Sequence, residues 1–100
     1  MSKEREPALT KQTMLALSLL MSAPDRGVAG SVLAAESRLA SGSLYPILLR
    51  LKEARWIKSE WEGGDDGRRP RRRLYSMTPL GIRRARQEAT EWRRLTERFA

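Results

Sequence analysis

One hundred residues suffice for a single small domain, and 40% apolar content supports a modest core. With no cysteine and no histidine, a disulfide framework, a thiolate metal site and the usual zinc ligands are excluded, so neither metal nor cofactor is expected. Twenty basic against twelve acidic residues give a net charge of +8, which favours a polyanionic partner, the alternative being a solvated arginine-rich surface.

The first seven residues read as a polar, frayed arm. Residues 8–22 carry Leu9, Met14, Leu15, Leu17, Leu20 and Met21 in a helical pattern whose apolar positions cover more than one face. Two readings stay open for it: burial on all sides, or a second face packed on a partner subunit. Residues 23–27 form a loop. Residues 28–37 read as a short helix with Val32, Leu33 and Ala29 turned inward, weakened at Gly30 by about 1 kcal/mol relative to Ala. Residues 37–40 make a turn, with Leu39 plugging the core.

The next stretch, 41–54, is the most informative. Leu44, Ile47, Leu48 and Leu51 form one apolar stripe, leaving Ser41, Ser43, Tyr45, Leu49 and Arg50 off it. Proline fits a first helical turn, so Pro46 requires the helix to begin near Ser41–Ser43. Residues 56–61 alternate like a strand, 63–67 form a glycine- and aspartate-rich turn, and 72–77 return as a second strand. The turn lacks the spaced ligands of a calcium loop. Thr78-Pro79 opens a last helix with a capping Thr and a proline at the first helical position. Along it Ile82, Ala85, Ala89, Trp92, Thr96 and Phe99 follow a heptad-like seam. A helix of about twenty residues is about 30 Å long, more than so small a domain can cover, so the seam reads as a dimer interface.

The layout is mainly α with a small β-hairpin: a winged helix-turn-helix over residues 1–77, then a long C-terminal dimerisation helix over residues 78–100. Its recognition helix spans about 41–54 and its wing about 56–77. The N-terminal half of the recognition helix would face bases in the major groove of double-stranded DNA. There Ser41 and Ser43 offer hydroxyls, Tyr45 a phenol, and Pro46 an apolar contact for a thymine methyl. Three positions on this helix have a plainer alternative: Ser43 as a helix cap, Tyr45 packed on the wing, and Arg50 paired with Glu53 or an acidic neighbour. Arg50 and Lys52 suit phosphates, and Arg68, Arg69, Arg71, Arg72 and Arg73 around Pro70 suit phosphates or a narrow minor groove. Asp65 and Asp66 would keep the wing tip away from DNA.

Gly42-Ser43-Leu44-Tyr45-Pro46, with Leu48, Arg50, Leu51 and Ile57, resembles the G-T-L-Y-P-x-L-x-R-L-E-x-x-G-x-I signature of the PadR family of bacterial transcriptional regulators. Ser59-Glu60-Trp61, the basic run with Pro70, and the stretch from Tyr75 through Gly81 are similar to the family's S-x-W, R-P-R-K and Y-Y-R-L-T-x-x-G elements. The resemblance runs from about residue 15 to residue 81. It departs where the family has Gly-Tyr for Gly27-Val28, Glu for Lys52, Gly for Arg55 and Tyr-Tyr for Leu74-Tyr75, and the loop before the recognition helix is short.

The resemblance implies a homodimeric repressor on an inverted-repeat operator, with dimer contacts also from the first helix at Leu15. Trp92 resembles a Trp of the family's multidrug-binding branch, where paired aromatics stack on flat drugs between subunits. It is therefore a candidate contact for a small-molecule effector, the alternative being an interface core Trp without a ligand.

A second class of function is a winged-helix module that sets its basic wing on an acidic protein. RNA binding would call for stacking aromatics on single strands, but one of Trp56 and Trp61 should be core. An enzyme is not expected, because Ser43 has no base near it. No apolar run is long enough to cross a membrane, no signal peptide pattern opens the chain, and the lack of cysteine fits a reducing cytoplasm.

Overall fold

The computed structural model describes residue 7 and residues 9–62 and 72–98. The turn at 63–67, Arg68, Arg69, Arg71 and Phe99 lie outside the described residues, as does all of the N-terminal arm except Pro7, which is buried.

Helix α1 (Lys11–Met21) starts where the Thr10 side chain accepts a hydrogen bond from the Thr13 N–H at 3.1 Å. It buries Thr13, Ala16, Leu17 and Leu20 but leaves Leu15 exposed, so burial on all sides does not occur. Residues 28–37 are not one helix. Gly27 turns at φ +83°, and Val28–Ala29 form a two-residue strand, β1, before α2 (Gly30–Ser37) begins. Within α2, Leu33 and the adjoining Ala29 point inward as expected, but Val32 is exposed. Arg38 leaves α2 in the left-handed region, the Ser37 hydroxyl accepts from the Leu39 N–H, and Leu39 packs against the core.

Helix α3 (Ser41–Glu53) buries Leu44, Ile47, Leu48 and Leu51, which is the stripe read from the sequence. The helix starts at Ser41, within the expected Ser41–Ser43, but one expectation about its start is corrected. Its cap is Ala40, with no side-chain hydrogen bond, so Ser43 is not the cap. Pro46 lies inside the helix, past the first turn. The amide it lacks would have bonded the Gly42 carbonyl, and Gly42 is exposed, so water can serve that carbonyl.

The end of α3 is tightly specified. The Trp56 N–H donates to the Leu51 carbonyl at 2.9 Å and the Arg55 N–H to the Lys52 carbonyl at 3.0 Å, a Schellman closure. It needs Arg55 at φ +66°, a conformation that glycine adopts without strain. Trp56 then enters the core at 2% exposure, and the next strand begins one residue later than the alternation suggested.

Strands β2 (Ile57–Glu62) and β3 (Arg72–Met77) form the antiparallel hairpin, in register from Ile57↔Met77 to Glu62↔Arg72. β1 adds to the other side of β3, giving the order β1-β3-β2. Helix α2, the turn, α3 and this hairpin make a winged helix-turn-helix.

Helix α4 (Pro79–Arg98) is capped by Thr78, whose hydroxyl oxygen accepts from the Gly81 N–H at 3.0 Å. The Thr78 N–H donates to the Trp56 carbonyl at 3.0 Å, and its O–H lies 2.6 Å from the Arg55 carbonyl. A Cβ at Gly81 would stand 1.8 Å from the Trp56 oxygen, so only glycine permits this docking. Ala85 is buried in the chain's own core and Ile82 packs against it. These two seam positions therefore face inward, and every residue from Ala89 to Glu97 is exposed.

Gly81→Ala is expected to destabilise the fold by about 3 kcal/mol or more, because helix and backbone must separate. Arg55→Gly is expected to stabilise it by up to about 1 kcal/mol, through relief of the left-handed strain less the added chain entropy. Denaturant unfolding of both variants checks the opposite signs.

Candidate nucleic-acid interface

The apolar stripe of α3 fixes which side chains face away from the core. Ser41, Tyr45, Pro46, Leu49 and Arg50 are exposed and Ser43 is half-buried, so the residues singled out on this helix share its outer surface. Leu49, at 56% exposure, adds an apolar side chain one turn beyond Tyr45.

Two hollows separate α3 from the hairpin. One, of about 230 Å³, runs past Tyr45, Leu49, Lys52 and Ser59; the other, of about 360 Å³, past Gly30, Ser31, Tyr45 and Trp61. Arg73 and Tyr75 line both. The Tyr45 ring leans toward α2, and a Cβ at Gly30 would stand 2.8 Å from its hydroxyl. Gly30, the first residue of α2, is thus what admits Tyr45. Tyr45 remains 42% exposed, so it both packs and presents a polar edge.

The described wing arginines differ in their partners. Arg72 is bound to Glu62, with Nε 2.8 Å and a terminal nitrogen 2.7 Å from Oε1. Arg73 donates from Nε to the Ser59 hydroxyl at 3.2 Å, and its guanidinium carbon lies 5.1 Å from the centre of the Trp61 ring. Trp56 is core and Trp61 is 53% exposed. Ser59, Trp61 and Gly30 were not singled out as site residues from the sequence. The period of two along β2 could have placed Ser59 and Trp61 on one face; nothing local marks Gly30.

Burial pushes the Tyr75 phenol above its ordinary value of 10.0; the Arg73 charge opposes this and Tyr45 adds to it. The folded chain therefore holds the proton longer than the unfolded one. Stability tied to this group is complete below the unfolded value and is lost as pH rises through the folded one. Tyr75→Phe is expected to lose less stability than the wild type as pH rises above about 10, read by denaturant unfolding at each pH.

Among the described residues no three His, Cys, Asp or Glu side chains group to hold a metal ion, and no helix is long and apolar enough to cross a membrane.

The fold recurs in solved regulators. A PadR family transcription regulator from Clostridium difficile matches with TM-score 0.75 and 24% identity, over 88% of this chain and 93% of that one. One from Eggerthella lenta matches with TM-score 0.63 and 29% identity, over 84% and 70%. The PcaV transcriptional regulator of Streptomyces coelicolor, solved with its natural ligand, shares the fold at TM-score 0.76 and 20% identity, over 94% and 62%. A search of curated proteins found no match. Residues 30–87, which carry the helix-turn-helix, the wing and the start of α4, match the family model described as the transcriptional regulator PadR-like family. The chain therefore belongs to the PadR-like family, whose members are transcription regulators rather than enzymes.

Proposed function

We propose that this chain is a homodimeric, sequence-specific DNA-binding regulator that acts as a repressor on an inverted-repeat operator. The carrying observation is the outer surface of α3. Tyr45, Pro46, Leu49 and Arg50 are exposed on it beside the hairpin that bears Arg72 and Arg73, in a chain of net charge +8. A helix of thirteen residues is about 20 Å long and fits a major groove about 12 Å wide. Ser41, Ser43, Tyr45, Pro46 and Leu49 would meet base edges. Arg50, Lys52 and the wing arginines other than the ion-paired Arg72 would meet phosphates, which fix position without reading sequence.

The distal half of α4 supports dimerisation. Ala89, Trp92, Leu95 and Thr96 are exposed, and Trp92 and Leu95 are large apolar side chains left about half open to solvent. The seam thus starts after Ala85, with Leu15 on α1 as a second contribution and residues 78–100 as the dimerisation segment. Two copies would set their α3 helices about one DNA turn apart. An effector stacking on Trp92 would change the angle between the two DNA-binding units. Work on the chromosome puts the protein in the cytoplasm.

The test is titration of DNA from upstream of its own gene against a scrambled duplex, at several salt concentrations. The expected result is a preference for the upstream duplex, largely lost in Tyr45→Ala, with affinity for both duplexes falling steeply with salt. Equal binding to both would leave only a basic surface and favour an acidic protein partner. For the dimer, Trp92→Glu is expected to halve the mass measured by light scattering; an unchanged mass would place the interface elsewhere.

A further inference from the structure

Alternation along β3 sorts its two arginines. Arg73 shares a face with Tyr75 and Met77, which are buried, whereas Arg72 lies on the other face. On β2, Trp61 stands directly across from Arg73, and Ser59 across from Tyr75. The hollow that Arg73 lines with Ser59 and Tyr75 is closed on its far side by Tyr45, Leu49 and Lys52 of α3. Arg73 therefore lines both hollows between the hairpin and α3, whereas Arg72 lines only the larger one, beside Tyr45.

Its side chain is also fixed. The Ser59 hydroxyl holds Nε at 3.2 Å and the Trp61 ring lies 5.1 Å from the guanidinium carbon. Neither partner carries a charge, so the guanidinium keeps its positive charge for a ligand. Arg72 is held as firmly, but by the Glu62 carboxylate. A phosphate approaching Arg72 would have to displace or tolerate that anion.

We infer that Ser59 and Trp61 are positioning residues that hold Arg73 ready for a phosphodiester of DNA seated on α3, while Arg72 serves the hairpin through its ion pair. The inference rests on the DNA-binding reading. A long side chain ordered beforehand loses less freedom on binding, so removing its supports weakens binding without removing any direct contact.

The experiment is a double-mutant cycle read by titration of one duplex at several salt concentrations. Arg73→Ala is expected to weaken binding about tenfold and to reduce the salt slope by about one unit. Arg72→Ala is expected to change affinity less than about twofold, because its charge is already balanced. Ser59→Ala alone is expected to weaken binding about threefold and, in the Arg73→Ala background, to add nothing. Trp61→Phe, which keeps an aromatic face, should retain most of the affinity that Trp61→Ala loses. Losses from Ser59→Ala that add fully to those of Arg73→Ala would overturn the inference. So would a silent Ser59→Ala, or an Arg72→Ala as damaging as Arg73→Ala. If the wild type bound no duplex at any salt, the DNA reading itself would fail, whereas the other contrary outcomes reject only the positioning role.

Discussion

The backbone at Trp56 is where the molecule is tied together. Its N–H closes α3, its side chain fills the core, its carbonyl receives the start of α4, and the wing strand begins at the next residue. The angle between the recognition helix and the last helix is set at this one peptide, because Gly81 brings the first turn of α4 into van der Waals contact with it. Besides Ile82 and Ala85, which pack on the core, this junction is where α4 is joined to the end of α3. Two rigid hydrogen-bonded turns meet there, so a rotation of α4 would be carried to α3 rather than absorbed in a flexible link.

The same junction explains how a chain of this size exposes so much of its last helix. Thr78, Gly81, Ile82 and Ala85 anchor α4, and the helix then leaves the domain. On the other side, the α3 stripe secures the recognition helix while its outer surface stays open. The wing arginines differ through the pleat of a single strand: neighbours in sequence, they stand on opposite faces and meet opposite kinds of partner, a carboxylate for Arg72 and neutral groups for Arg73.

Much of this was legible in the sequence where a period or a cap carries it. Leu44, Ile47, Leu48 and Leu51 announced α3; Thr78-Pro79 announced α4; the alternation around the glycine-rich turn announced the hairpin. The strand at Val28–Ala29 was not legible, because two residues show no period and the strand exists only by pairing with Leu74 and Tyr75. Pro46 set the start of α3 near Ser41–Ser43, and the helix does start at Ser41, with Pro46 past its first turn; an exposed Gly42 lets the unpaired carbonyl reach water. Val32 and Ala85 were assigned by pattern, yet their sides are decided by what packs nearby: Val32 turns to solvent and Ala85 to the core. The role of Arg55 was visible only as a departure from a glycine, and its φ of +66° shows the conformation that the glycine would serve.

The central claim is that DNA is gripped between α3 and the inner face of the wing. Amide chemical-shift mapping of the labelled protein with upstream duplex DNA tests it most directly. The account predicts the largest changes from Ser41 to Arg50 and at Ser59, Trp61 and Arg73, with the distal half of α4 nearly unmoved. Changes centred on Trp92 and Leu95, with α3 and the wing silent, would contradict it.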